Sequence, residues 1–289
     1  MRLVLLKISL LLLFLYAIPA WGADFIPAIT NYTVKDYRGG HQNWACAQGD
    51  DGVMYFGNNN GLLVYDGFSW ELYKVPGGYI VRSVFVDKDK VYIGSFEEFG
   101  YFSRGVTGKM EYHSLSEQLK DEITPNDEIW HIVRLGEKIY FQSFTCWYAF
   151  DGKNVSSMNR KTGIRPLYFY TCHKRVYAQM IDGGFYEFDG NRFHLLLDRV
   201  AVGNDNVVSI LPDGKEGMIL LTVDHGLFSY RDGVASALHT DIDKQLNWAK
   251  GNRAVMLGDS ILVVGTILDG IYGLNKDGHL LWHLSRDNQ

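Results

Sequence analysis

"YFGNNNGLLVYDG", residues 55–67, breaks an apolar run at three asparagines, resumes it after Gly61 and ends it at Asp66-Gly67. Short apolar runs closed by turn-forming residues read as strands with corners between them. The outline returns along the chain, in units at about 43–76, 81–115, 129–159, 165–198, 207–240 and 247–285. With Tyr55, Tyr92, Tyr140, Tyr177, Leu220 and Val263 as matching positions, the spacings are 37, 48, 37, 43 and 43 residues. A period near 40 with about four short strands per unit points to an all-β fold, a β-propeller of four-stranded antiparallel blades.

Within the first unit, strand a ends at the polar turn Asp50-Asp51-Gly52 and strand b is "VMYFG". The asparagines form the b–c loop, strand c is "LLVY", and Asp66-Gly67 turns into strand d, "WELYKV". Asp-Gly suits a two-residue hairpin, because a primed turn needs positive φ. It recurs at 151–152, 189–190, 232–233 and 277–278, with Arg104-Gly105 in its place in the second unit. Strands b are apolar on both faces ("VYIG", "IYFQ", "ILLT"), as a sheet pressed between two neighbouring blades requires. Helical periodicity is confined to 114–123 and reads as an insertion that accounts for the 48-residue spacing.

Residues 31–40, "NYTVKDYRGG", align with 69–78, a d strand and its exit loop, yet no strands a–c precede them. Residues 29–38 are therefore expected to be an orphan outer strand. The sixth unit ends in its own d strand, "HLLWHLS". The expectation is an incomplete seven-bladed ring: a C-shaped array of six blades with two apolar faces open at the gap. The alternative is a closed six-bladed ring in which the 247–285 blade packs on the first.

At 289 residues with 47% hydrophobic content, the chain can bury a substantial core. A net charge of −5 gives no basic footprint, which argues against direct nucleic acid contact. Residues 1–23 carry Arg2 and Lys7, an apolar stretch from Ile8 to Ile18 and small residues at Ala20, Gly22 and Ala23. That pattern reads as a signal peptide and places the mature protein in the periplasm; the alternative is an uncleaved anchor. Cys46, Cys146 and Cys172 form no CxxC pair and read as small buried hydrophobes, with a Cys146–Cys172 bridge left open.

"QGDDGVMYFGNNNGLLVYDG" (48–67) resembles the two-component-regulator propeller repeat, with its D-x-x-G turn, aromatic-rich strand, G-x-x-x-G-L and Y-D-G. The resemblance covers nearly the whole mature chain and is best in the first unit. It implies the periplasmic sensor region of hybrid histidine kinases or membrane-bound helix-turn-helix regulators of Bacteroides-type bacteria. It also implies, as partners, the further propeller and signalling domains of a longer parent chain.

The sequence contains no HExxH, GxSxG, GxGxxG, P-loop or EF-hand motif, so no catalytic residue, metal or cofactor is expected. Loops b–c and d–a leave the same end of every blade, and loops on a rigid scaffold are where binding residues collect. The candidate ligand-binding residues there are Asn58, Asn59, Asn60, Glu97, Glu98, Trp147, Arg165, Asp182, His225, Trp248 and Asp269. Amides, carboxylates and aromatics together suit an oligosaccharide or another small polar ligand, or a partner protein, and a dimer is compatible with them. The competing function is a secreted propeller enzyme acting on glycans, which needs Glu97, Glu98, Asp182 and Asp269 to converge on the channel mouth.

Overall fold

The computed structural model describes residues 28–119, 122–158 and 163–287. The expected signal peptide lies outside the described residues. No described helix is long and apolar enough to cross a membrane.

Six four-stranded antiparallel sheets follow one another along the chain, each a simple meander in sequence order. Together they form a β-propeller. The six a strands are Asn43–Gln48, Ser83–Asp87, His131–Leu135, Pro166–Cys172, Val207–Asp213 and Gly251–Leu257. Each packs beside the next and so lines the central channel, with strands b, c and d stepping outward. Blades one to five begin within two residues of the expected positions. Blade six begins at Gly251, because residues 243–249 form a helix (α2, Asp243–Ala249) that the repeat alignment had assigned in part to the blade.

The opening stretch folds as its residues dictate. Strand b (Met54–Asn58) and strand c (Gly61–Tyr65) pair with Met54 opposite Tyr65 and Asn58 opposite Gly61. Gly61 has φ +133°, and a Cβ there would lie 2.3 Å from the Tyr73 carbonyl oxygen, so only glycine closes this corner. The Asp-Gly turns differ from expectation. At 66–69, 151–154 and 189–192 the loop has four residues, and the aspartate Oδ1 accepts from the backbone N–H groups two and three positions on. The glycine takes the positive φ and the aspartate does not. Only Asp232-Gly233 is the two-residue turn with both φ positive, at 50° and 82°.

Further expectations are corrected. In the stretch expected to be helical, Ser116–Leu119 form a 3-10 turn rather than an α-helix. Residues 29–38 are not an orphan strand, because Val34–Tyr37 form a helical turn (α1) that Thr33 and Asp36 close as a capping box. No disulfide joins the three cysteines, so no Cys146–Cys172 bridge forms. Cys146 and Cys172 are buried as expected, whereas Cys46 is exposed on strand a of blade one.

Five apolar clusters fill the five seams between successive blades. The seam between blades two and three stacks Tyr92 and Phe99 on Phe141, Tyr148 and Phe150. Among the described residues no cluster joins blade six to blade one. On blade six, Val255, Leu257 and Ile271 of the corresponding face are exposed. On blade one that face is covered by the N-terminal segment, whose Tyr32 and Tyr37 pack on Trp70.

Candidate ligand-binding mouth of the central channel

Backbone hydrogen bonds tie each b–c loop to the segment entering a neighbouring strand a, as in Val81 N to Asn58 O, Glu97 N to Asp127 O and Val223 N to Asn206 O. These bonds gather b–c loops, d–a segments and the first residues of the a strands at one end of the channel.

At that end blades one to three build an aromatic and charged cluster. The guanidinium of Arg82 lies 3.8 Å from the Trp44 ring centroid and 5.1 Å from that of Trp130. The two indoles meet edge to face at 6.1 Å, and Phe144 stacks on Trp130 at 5.5 Å. Trp44 Nε1 donates to Asn59 Oδ1 at 2.7 Å, which fixes the indole over the cation. Arg82 Nε and Nη2 both donate to Glu128 Oε1, at 3.0 and 2.9 Å, while Arg82 Nη1 is buried with no partner. On the other side of strand a of blade three, His131 packs on Tyr168 at 5.1 Å. Arg253 of blade six reaches to within 3.5 Å of His131 Nε2 and donates to the Val208 carbonyl at 2.7 Å. Burial and then the nearby Arg253 charge push His131 down to about 3, so its imidazole is neutral at physiological pH.

The structure disperses the residues expected from sequence. Asn58 has 0% exposure, and its amide binds Gly40, Gln42 and Asn43, so it holds the chain rather than a ligand. Trp147 is 3% exposed and packs on Phe169, Phe188 and Phe193 within the seam between blades three and four, out of reach of a ligand at the loop end. Asn59 orients Trp44, and Asn60 is exposed beside it. Glu97 accepts from Asn126 N at 2.5 Å, and Glu98 accepts from Tyr112 and Ser114. Arg165 and Asp182 pair with each other at 2.8 Å. His225 turns its Nδ1 to Asp205 at 3.3 Å, Asp269 accepts from Tyr272, and Trp248 is exposed on α2. The four carboxylates named for glycan cleavage are thus each held by other groups, on three different blades.

Sequence reasoning missed Trp44, Arg82, Glu128, Trp130, His131, Tyr168 and Arg253. A signal existed: these bulky or charged residues all stand within three residues of the start of a strand a. A cleft of about 650 Å3 lies elsewhere, between blades four and five at the opposite end. Both of its arginines have partners: Arg175 faces Glu187 at 3.6 Å, and Arg231 donates to Asp213 at 2.6 Å. Among the described residues no group of three or more His, Cys, Asp or Glu is placed to hold a metal.

The fold is shared with the extracellular domain of a proposed hybrid two-component system from B. thetaiotaomicron, at TM-score 0.63 and 18% identity. The match covers 85% of this chain and 33% of that one, so this chain spans about a third of its length. Virginiamycin B lyase from Staphylococcus aureus is similar in fold at TM-score 0.64 and 10% identity, over 86% of this chain and 84% of that one. No protein-family model and no curated protein matches the sequence.

Proposed function

We propose that this chain is an exported, ligand-sensing propeller, the periplasmic N-terminal part of a signal-transducing sensor kinase or transcriptional regulator, and that it binds an oligosaccharide at the channel mouth. The observation that carries this reading is the set of Trp44, Trp130 and Phe144 around Arg82 and Glu128. Flat aromatic faces beside a few convergent polar groups are what a sugar ring needs: stacking for its C–H face and directional bonds for its hydroxyls. Likeness in fold to the B. thetaiotaomicron extracellular domain supports a sensing role, and the repeat sequence supports it independently. The partners in this reading are the further domains of a parent chain.

Isothermal titration of purified protein with a panel of oligosaccharides tests the proposal. At least one should bind with quenching of tryptophan fluorescence, and Trp44→Ala should weaken it about tenfold or more, the loss of one stacking contact of about 1–2 kcal/mol. Absence of binding across the panel would defeat it. Hydrolysis of a glycan, lost in Glu97→Gln or Glu98→Gln, would put a secreted enzyme in its place.

A further inference from the structure

We infer that Arg82 and Glu128 act as a donor–acceptor pair that reads two adjacent hydroxyls of an uncharged pyranose lodged against Trp44 and Trp130. This rests on the sugar-binding reading of the channel mouth and narrows its ligand class. The geometry starts from what the ion pair leaves over. Glu128 Oε1 takes both Arg82 Nε and Nη2, at 3.0 and 2.9 Å, with the two side chains 13% and 23% exposed. Arg82 Nη1 then has no acceptor, and Glu128 Oε2 accepts no hydrogen bond from the described residues. A buried charged donor without an acceptor is costly to maintain, and a ligand that supplies one recovers that cost. Neighbouring hydroxyls on a pyranose offer one acceptor and one donor.

Entry requires one wall to yield. Trp44 is 37% exposed and held at its rim by the single bond to Asn59. A ring entering between the two indoles moves Trp44 outward, uncovers Nη1 and keeps Trp130, backed by Phe144, as the stacking platform. Charge decides between neutral and acidic sugars. Glu128 already matches the Arg82 cation, and the chain carries a net charge of −5, so a uronic carboxylate at this point would meet repulsion. Arg253, a second cation lining the mouth, is engaged by the Val208 carbonyl and lies over Tyr168.

The experiment is calorimetry of the full chain with neutral cello-, manno- and xylo-oligosaccharides, with oligogalacturonate, and with deoxy analogues of whichever neutral sugar binds best. A neutral sugar should bind at least tenfold tighter than oligogalacturonate, and removal of one of its two adjacent hydroxyls should weaken it about tenfold. Glu128→Gln should give a similar loss; the deoxy series gives the answer on unaltered protein if that variant folds poorly. Neutral binding that is indifferent to every deoxy position overturns the pair while leaving the sugar-binding reading intact. Preference for oligogalacturonate, abolished by Arg253→Gln, overturns the neutral class. Failure of every saccharide to bind removes both the pair and the reading beneath it.

Discussion

The side chain of Asn58 shows how one polar residue can decide a local structure. Its Oδ1 accepts from the N–H groups of Gly40 and Asn60, at 2.6 and 3.0 Å, and its Nδ2 donates to Gly40, Gln42 and Asn43. Asn58→Ala leaves several buried groups unpaired and should cost about 2–3 kcal/mol, read as a lower urea midpoint with an unchanged slope. Asn59, next to it, holds Trp44, so the same corner joins the N-terminal segment to the proposed ligand mouth. His131 gives a pH dependence at this scale. Its folded pKa of about 3 lies below the usual 6.5, so the unfolded state binds more protons between these values. The stability it contributes is present above pH 6.5 and is lost as pH falls toward 3. His131→Gln should flatten the decline of thermal stability over that range, and an unchanged decline would show that other groups cause it.

At the scale of the element, each blade is stabilised by its seams rather than by its own hairpins. Strand b of blade three (Lys138–Gln142) is apolar on both faces: Ile139 and Phe141 serve the seam with blade two, and Tyr140 serves the seam with blade four. Phe141, at 0% exposure, meets Phe99 at 4.7 Å and Tyr92 at 6.0 Å across that first seam. Phe141→Ala should therefore destabilise by about 3–5 kcal/mol, the usual cost of emptying an aromatic site. Phe68→Ala, in a c–d loop at 97% exposure, should change stability by less than about 0.5 kcal/mol. Chemical denaturation of both variants checks the contrast, and comparable losses would contradict seam-borne stability.

At the scale of the whole molecule, no apolar cluster among the described residues fills the seam between blades six and one. Blade one hides its face under Tyr32 and Tyr37, but blade six leaves Val255, Leu257 and Ile271 in solvent. Exposed apolar sheet faces promote association. A Val255→Lys/Leu257→Lys variant should keep its melting temperature within a few degrees and show less aggregation by light scattering. Leu262→Lys, which places a charge in the filled seam with blade five, should unfold the protein. Equal tolerance of both changes would mean that the two faces do not differ in burial.

The repeat and the order of strands were legible in the sequence because they follow from local chemistry. Short apolar runs, glycine at corners such as Gly61 and Asp-Gly turns act within a few residues of themselves. Helix α1 was not legible, since "NYTVKDY" matches a d strand in pattern, yet among the described residues no strand pairs with it and Thr33 and Asp36 close it as a capping box. The cluster at the channel mouth was not legible for a related reason. Loop position alone does not tell which residues converge, so Trp147 read as a loop aromatic although its ring fills a seam. Trp44, Arg82 and Trp130 lie up to 86 residues apart and meet because three a strands stand side by side around one axis. Sequence by itself determined the number of blades and the order of strands within each; the tertiary structure alone decided which side chains share the channel mouth, because that convergence is set by packing between blades and not by any local run of residues.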